Sequence, residues 1–137
     1  MTMRKWIAAL AALAVLTCVL LPGVSYTEDE DTVLLARAIY ALARGESYET
    51  KLAIGTVAMN RIESAWFEDT LNEVLTEQHQ FPIGSRYDDD SLAAAHDVLS
   101  GRRALARDAL YYQSLAASHP RADAPVAVVG GYAFYNC

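Results

Sequence analysis

The apolar residues of this chain keep helical spacing as far as Gly101 and then give way to short runs of β-formers, and that change of period limits the fold most. Over residues 32–44, Leu35, Ile39 and Leu42 recur at helical spacing, flanked by Leu34, Ala38 and Ala41, before Gly45 closes the segment. Ser47 is a cap for a second predicted helix running to about Glu63, with Ala53, Val57 and Ala58 inward and Gly55 admitting a close neighbour. Thr70-Leu71-Asn72-Glu73 spells a capping box and starts a short third helix ending near Glu77. A loop follows over residues 78–87, marked by Pro82 and Gly84. Asp88 to Asp90 supply the cap and the negative charge for a fourth helix, with Leu92, Ala95 and Leu99 on one side and Gly101 as its stop. Residues 109–112 then read as a strand, and residues 126–129, Gly130-Gly131 and residues 132–135 as a two-residue hairpin. Helices first and strands last predict an α+β domain, about four helices followed by a small antiparallel sheet.

At the N-terminus Met1 to Lys5 carries two positive charges, and sixteen residues follow, from Trp6 to Leu21, of which Thr17 is the polar member. This is the plan of a secretory signal. The apolar run is short for a membrane span and ends in Pro22-Gly23, so residues 1–25 are expected to act as a signal peptide, with a membrane anchor as the alternative. Residues 26–31 form an acidic leader, and residues 32–137 the folded domain. The expected location is secreted or at the cell envelope.

Eleven Lys and Arg stand against 17 Asp and Glu, a formal charge of −6 that argues against nucleic acid as a partner. Membrane contact is expected only if the N-terminal segment is kept. Cys18 and Cys137 make no disulfide framework, and His79, His96 and His119 lack metal-ligand spacing, so neither a metal nor an organic cofactor is implied. There is no phosphate loop, no Gly-x-Ser-x-Gly elbow and no dinucleotide fingerprint. What remains is a group of carboxylates and aromatics around the first two helices: Tyr40, Arg44, Glu46, Tyr48 and Glu49. Glycosidic bond cleavage uses such groups, because it needs a carboxylic acid to protonate the leaving oxygen and flat rings to hold sugars. The same residues also describe an ordinary helix stop and restart around Gly45.

The run from Leu34 to Glu49, continued by Ala53 to Arg61, resembles the cell wall hydrolase family typified by the spore cortex-lytic enzyme SleB. Gln80-Phe81 is similar to that family's Gln-Phe loop, the segment 93–101 to its Ala-rich helix, Leu110-Tyr111-Tyr112 to its Tyr-rich strand, and the segment 130–135 to its closing hairpin. The resemblance implies a lysozyme-related, lytic-transglycosylase-like fold acting on bacterial peptidoglycan, in particular the spore cortex. It implies a groove lined by Tyr40, Arg44, Gln80, Phe81 and Tyr112.

The family usually reads Tyr-Ala-Glu-Ala-Arg-Gly-Glu where this chain reads Tyr40-Ala41-Leu42-Ala43-Arg44-Gly45-Glu46. By the family's pattern the first of those glutamates is the catalytic acid, and here it is Leu42, which has no proton to donate. Positioned acid–base catalysis contributes about 10²- to 10⁴-fold in rate, so the substitution bears directly on activity. Three readings follow. Glu46 takes over as the acid, with Glu49 a poorer substitute. Alternatively the chain is a catalytically silent relative that keeps the groove and binds glycan. In the third reading it is a structural or regulatory protein of a spore envelope layer.

Overall fold

The computed structural model describes residues 29–77 and 81–137. The expected signal peptide, most of the acidic leader and Gln80 lie outside the described residues. Among the described residues four helices precede three strands, so the α+β expectation holds.

Helix α1 spans Glu30–Ala43 and begins inside the stretch read above as leader. Asp29 is the reason: its carboxylate accepts from the Thr32 N–H at 2.7 Å. Glu30 and Asp31 then fall in the first turn, where the helix dipole favours negative charge. The hydrogen bonds from Thr32 hold the Asp29 carboxyl below the usual carboxylate range. Helix α2 spans Tyr48–Glu63, capped by Ser47 as expected. It is the central element, with Thr50 through Ala58 buried on every side. The apolar spacing pointed to one inward face; neighbours on several sides bury the rest, including Lys51, Asn60 and Arg61. Asn60 donates from Nδ2 to the carbonyls of Ala106 and Ala109, at 2.9 and 3.1 Å, and so ties down the approach to the sheet.

Helix α3 spans Leu71–Thr76 behind the Thr70 capping box, and α4 spans Asp89–Leu99 behind Asp88. On α4 the buried stripe is Ser91, Ala94, Ala95 and Val98, whereas Leu92 and Leu99 lie at its edges. Small residues face inward there because α4 packs closely on both α1 and α2. Gly55 sits at that crossing, where an added Cβ would lie 3.1 Å from Val98 Cγ2 and 3.2 Å from Ile39 Cδ1. Gly55→Leu is therefore expected to lower the unfolding free energy by about 1–3 kcal/mol through overpacking. Urea unfolding measures it, and an unchanged midpoint would mean that the crossing is looser than these contacts.

Strands β1 (Tyr111–Ser114), β2 (Ala127–Val129) and β3 (Tyr132–Tyr135) form an antiparallel sheet in the order β1–β3–β2. Strand β1 starts two residues later than the spacing suggested. Ala109 is held in a turn by its N–H bond to Ala106 O and by Asn60, so it does not join the ladder. Phe134 pairs with both Tyr112 and Ala127 and is fully buried, which centres the sheet on the helical core. The hairpin turns through Gly130 at φ 55.

Candidate functional site

Helix α1 ends because Gly45 takes φ 78, a left-handed conformation that glycine adopts without cost from a Cβ. The Glu46 N–H returns to Ala43 O at 2.9 Å, so Glu46 leaves the helix axis at a sharp angle. Its side chain lies against the β2–β3 hairpin, where Gly131 N–H donates to Glu46 Oε2 at 3.3 Å. The hairpin approaches so closely that a side chain on either glycine would have to displace Glu46. A Cβ on Gly131 would lie 2.4 Å from Glu46 Oε1, and one on Gly130 would lie 2.6 Å from Glu46 Oε2 and 2.2 Å from Thr50 Oγ1.

Tyr132 completes this corner. Its hydroxyl donates to the carbonyl of Leu42 at 2.6 Å, capping one of the free carbonyls at the end of α1. The Leu42 side chain is half-buried and packs against the core. From Tyr132 an aromatic row runs inward: Tyr112 meets it edge-on with centroids 6.1 Å apart, and Phe81 lies 5.3 Å from Tyr112. Phe81 is 4 % exposed, so it forms the floor beneath Tyr112. Tyr111 turns the other way, toward Phe67 and Arg121, so the two tyrosines divide as strand alternation requires.

Of the residues singled out from sequence, Glu46, Phe81 and Tyr112 are thus linked through Tyr132, and Gln80 lies outside the described residues. Arg44 does not pair with Glu46. It is exposed and stacks over the Tyr40 ring at 5.8 Å. Glu49 is exposed in the first turn of α2. Tyr48 donates to Asp97 on α4, beneath the Arg102 guanidinium. Sequence reasoning missed Gly131, Thr50 and Tyr132 as neighbours of Glu46. The Gly130-Gly131 pair is the available signal, since two adjacent glycines also let another side chain come close to the backbone. Glu68, Glu73 and Glu77 bring carboxylate oxygens within 4.8 Å of one another around α3, an acidic surface separate from this corner.

Burial pushes the Tyr112 phenol up to about 12, with the Arg61 charge partly opposing it. Tyr132 is raised as well, by burial first and then by the Glu46 carboxylate. An unfolded tyrosine titrates near 10. Between about 10 and 12 the unfolded chain has released a proton that folded Tyr112 keeps, so this contribution is complete below pH 10 and is lost as pH rises through 12. Tyr112→Phe is expected to flatten the loss of thermal stability across that window. Equal slopes for variant and parent would assign the alkaline loss elsewhere.

The cell wall hydrolase family profile matches residues 45–135. The spore cortex-lytic enzyme of Bacillus subtilis is 35% identical over 89 residues, covering 61% of this chain and 29% of the relative. That of Oceanobacillus iheyensis is 45% identical over 51 residues, covering 37% and 18%. The matched stretch therefore spans less than a third of either relative. The crystal structure of the catalytic domain of the Bacillus cereus SleB protein superposes with a TM-score of 0.69 at 25% identity, over 83% of this chain and 94% of that domain. The catalytic domain of the germination-specific lytic transglycosylase SleB from Bacillus anthracis gives 0.67 at 26% identity, over 82% and 99%.

Proposed function

The chain belongs to the cell wall hydrolase family, and from that premise we propose that it is exported and acts on bacterial peptidoglycan, cleaving a bond between amino sugars of the glycan strand with Glu46 as the general acid. The observation that carries this reading is the Glu46 carboxylate fixed against the hairpin by the Gly131 N–H. It is held in one place yet remains part-exposed, as a group that must reach a substrate oxygen requires. One such carboxylate is enough for a lytic transglycosylase reaction. It gives its proton to the oxygen that leaves C1, and a hydroxyl of the same sugar, in place of water, closes onto C1 after surrendering its own proton to the carboxylate. Tyr112, half-buried, supplies an aromatic face for a sugar ring, and the buried Tyr132 backs it edge-on. Tyr40 and Arg44 extend the same surface along the end of α1.

Leu42 favours a second reading. Its side chain packs on the core and its carbonyl is already satisfied by Tyr132, which suits a site converted to packing in a glycan-binding relative without turnover. One experiment separates the two. Purified protein is incubated with insoluble peptidoglycan while turbidity, bound protein and the masses of released fragments are followed. Release of fragments one water lighter than hydrolysis products supports cleavage by Glu46. Retention on the polymer without release, together with release by Leu42→Glu, supports the silent binder. Absence of both retention and release overturns both readings.

A further inference from the structure

We infer that the outward stripe of α1 bearing Arg37, Tyr40 and Arg44, with Arg86 beside it, is a carboxylate-binding subsite that takes the acidic groups carried along a peptidoglycan glycan strand; this rests on the peptidoglycan reading above. The first observation is the pairing of most other basic residues among the described ones. Lys51 lies beside Asp88 and Asp90, Arg102 pairs with Asp97, Arg103 with Glu63 and Arg121 with Asp123. Arg61 is buried among aromatic rings. No carboxylate of the described residues lies within ion-pair distance of Arg37, Arg44 or Arg86, although the chain has six more acidic than basic side chains. Arg107, on the loop leading to β1, shares that condition but not the location.

The second observation is placement. Residues 37, 40 and 44 are three and four apart, so they fall on one face of α1, turned away from the buried Leu35 and Ile39. Arg37 donates from Nε to Gly84 O at 2.6 Å. That bond uses the inner N–H, steadies the side chain and leaves the terminal amino groups of the guanidinium for a ligand. It also brings the loop carrying Arg86, two residues past Gly84, to the same side. Arg44 extends over the Tyr40 ring, and the stripe runs about 10 Å to the turn that delivers Glu46.

The chemistry of the ligand follows from this arrangement. A guanidinium fork matches a carboxylate in two parallel hydrogen bonds, and like charges left together without partners favour an anion from outside. The overall charge of −6 opposes a dense polyanion such as nucleic acid or a phosphate polymer. A few cations around a tyrosine suit anions hung at intervals along an uncharged sugar chain. Peptidoglycan has two such groups, the carboxylates of its peptide stems and, where a stem has been removed, the lactyl carboxylate of its muramic acid.

The test titrates the full chain, carrying Glu46→Gln so that no probe is consumed, with three soluble probes. Chitohexaose has the same sugar linkage without carboxylates. Peptide-stripped glycan strands carry the lactyl carboxylate, and peptide-bearing strands carry stem carboxylates. One or both of the acidic probes should bind about tenfold more tightly than chitohexaose, roughly the gain from one charge-assisted pair. Arg37→Gln with Arg44→Gln should erase that advantage, weakening the acidic probes far more than chitohexaose. Arg44→Gln alone, at an exposed position with no backbone bond to lose, should erase part of it and guards against a folding defect in the pair. Tight binding of stripped strands identifies the lactyl group, and preference for peptide-bearing strands identifies the stems. Equal binding of all three probes, or variants that weaken all three alike, overturns the subsite and leaves the peptidoglycan reading standing. Failure to bind any probe overturns both.

Discussion

Glu46→Gln should reduce release of peptidoglycan fragments by about 10²- to 10⁴-fold, the usual contribution of a positioned acid or base, while the melting temperature stays close to that of the parent. Glutamine has the same shape, and its amide oxygen can still accept from the Gly131 N–H, which the carboxylate accepts at 3.3 Å. The substitution removes the transferable proton and little else. A melting temperature that fell sharply would assign Glu46 to holding the hairpin onto α2, and full turnover by the variant would remove it from the chemistry. Gly131→Ala offers a check from the other side of the contact. Its Cβ would meet Glu46 Oε1 at 2.4 Å, and a carboxylate at the end of a flexible side chain yields before the backbone does. Turnover should fall with Glu46 displaced, and since Gly131 is not in a positive-φ conformation the fold should lose little. Gly130→Ala should be costlier for the fold, because it adds φ strain at 55° and a collision with the buried Thr50 hydroxyl at 2.2 Å.

Arg61→Ala should lower the unfolding free energy by about 3–5 kcal/mol, a large share of the 5–15 kcal/mol that a domain commonly has. Arg61 is 5 % exposed. Its guanidinium lies over Phe67 at 4.7 Å, Phe81 at 5.0 Å, Tyr111 at 5.7 Å and Tyr112 at 5.9 Å, and Nε donates to Leu110 O at 2.7 Å. Truncation leaves a gap among four rings and a carbonyl without its donor, and the two losses reinforce each other. Burial pushes the Arg61 guanidinium below its ordinary range, yet an arginine remains charged there, so the rings and the carbonyl are what make the charge tolerable. Arg61→Met, which keeps much of the volume, should fall between parent and Ala in urea unfolding. If Met were as damaging as Ala, the charge and its hydrogen bond would dominate; if Met matched the parent, space-filling alone would explain the site. Because Phe81 and Tyr112 also form the floor of the candidate groove, a folded Arg61 variant is expected to bind glycan more weakly as well.

The helices were legible because their limits are set within a few residues. Asp29, Ser47, Thr70 and Asp88 each accept from the N–H three positions on, and Gly45 ends α1 through its own backbone. The glutamate at 46 was legible as a candidate by the same local chemistry, since few carboxylates sit beside a helix break with aromatics. Its direction was not. Beyond a glycine at φ 78 the helical period no longer predicts where a side chain points, and the partner that fixes Glu46 is 85 residues away. The role of Asn60 and Arg61 was hidden for the same reason: both act on carbonyls nearly 50 residues distant. The spacing starts β1 two residues early because Ala109 and Leu110 have the right character for a strand; Asn60 holds the Ala109 carbonyl away from β3, and only the Leu110 N–H, bonded to Tyr135 O, reaches it before the regular register begins at Tyr111.

The sequence by itself determined the order of elements, the caps and turns that bound them, and the absence of an acid at position 42, because each of these depends on the side chain present and its immediate neighbours. Tertiary structure alone decided that α2 would be surrounded, that Tyr132 would cap the carbonyl of Leu42, and that two hairpin glycines would close on Glu46. Those outcomes depend on how closely separate elements approach, to within a few tenths of an ångström, and packing fixes that distance only when the whole core is assembled.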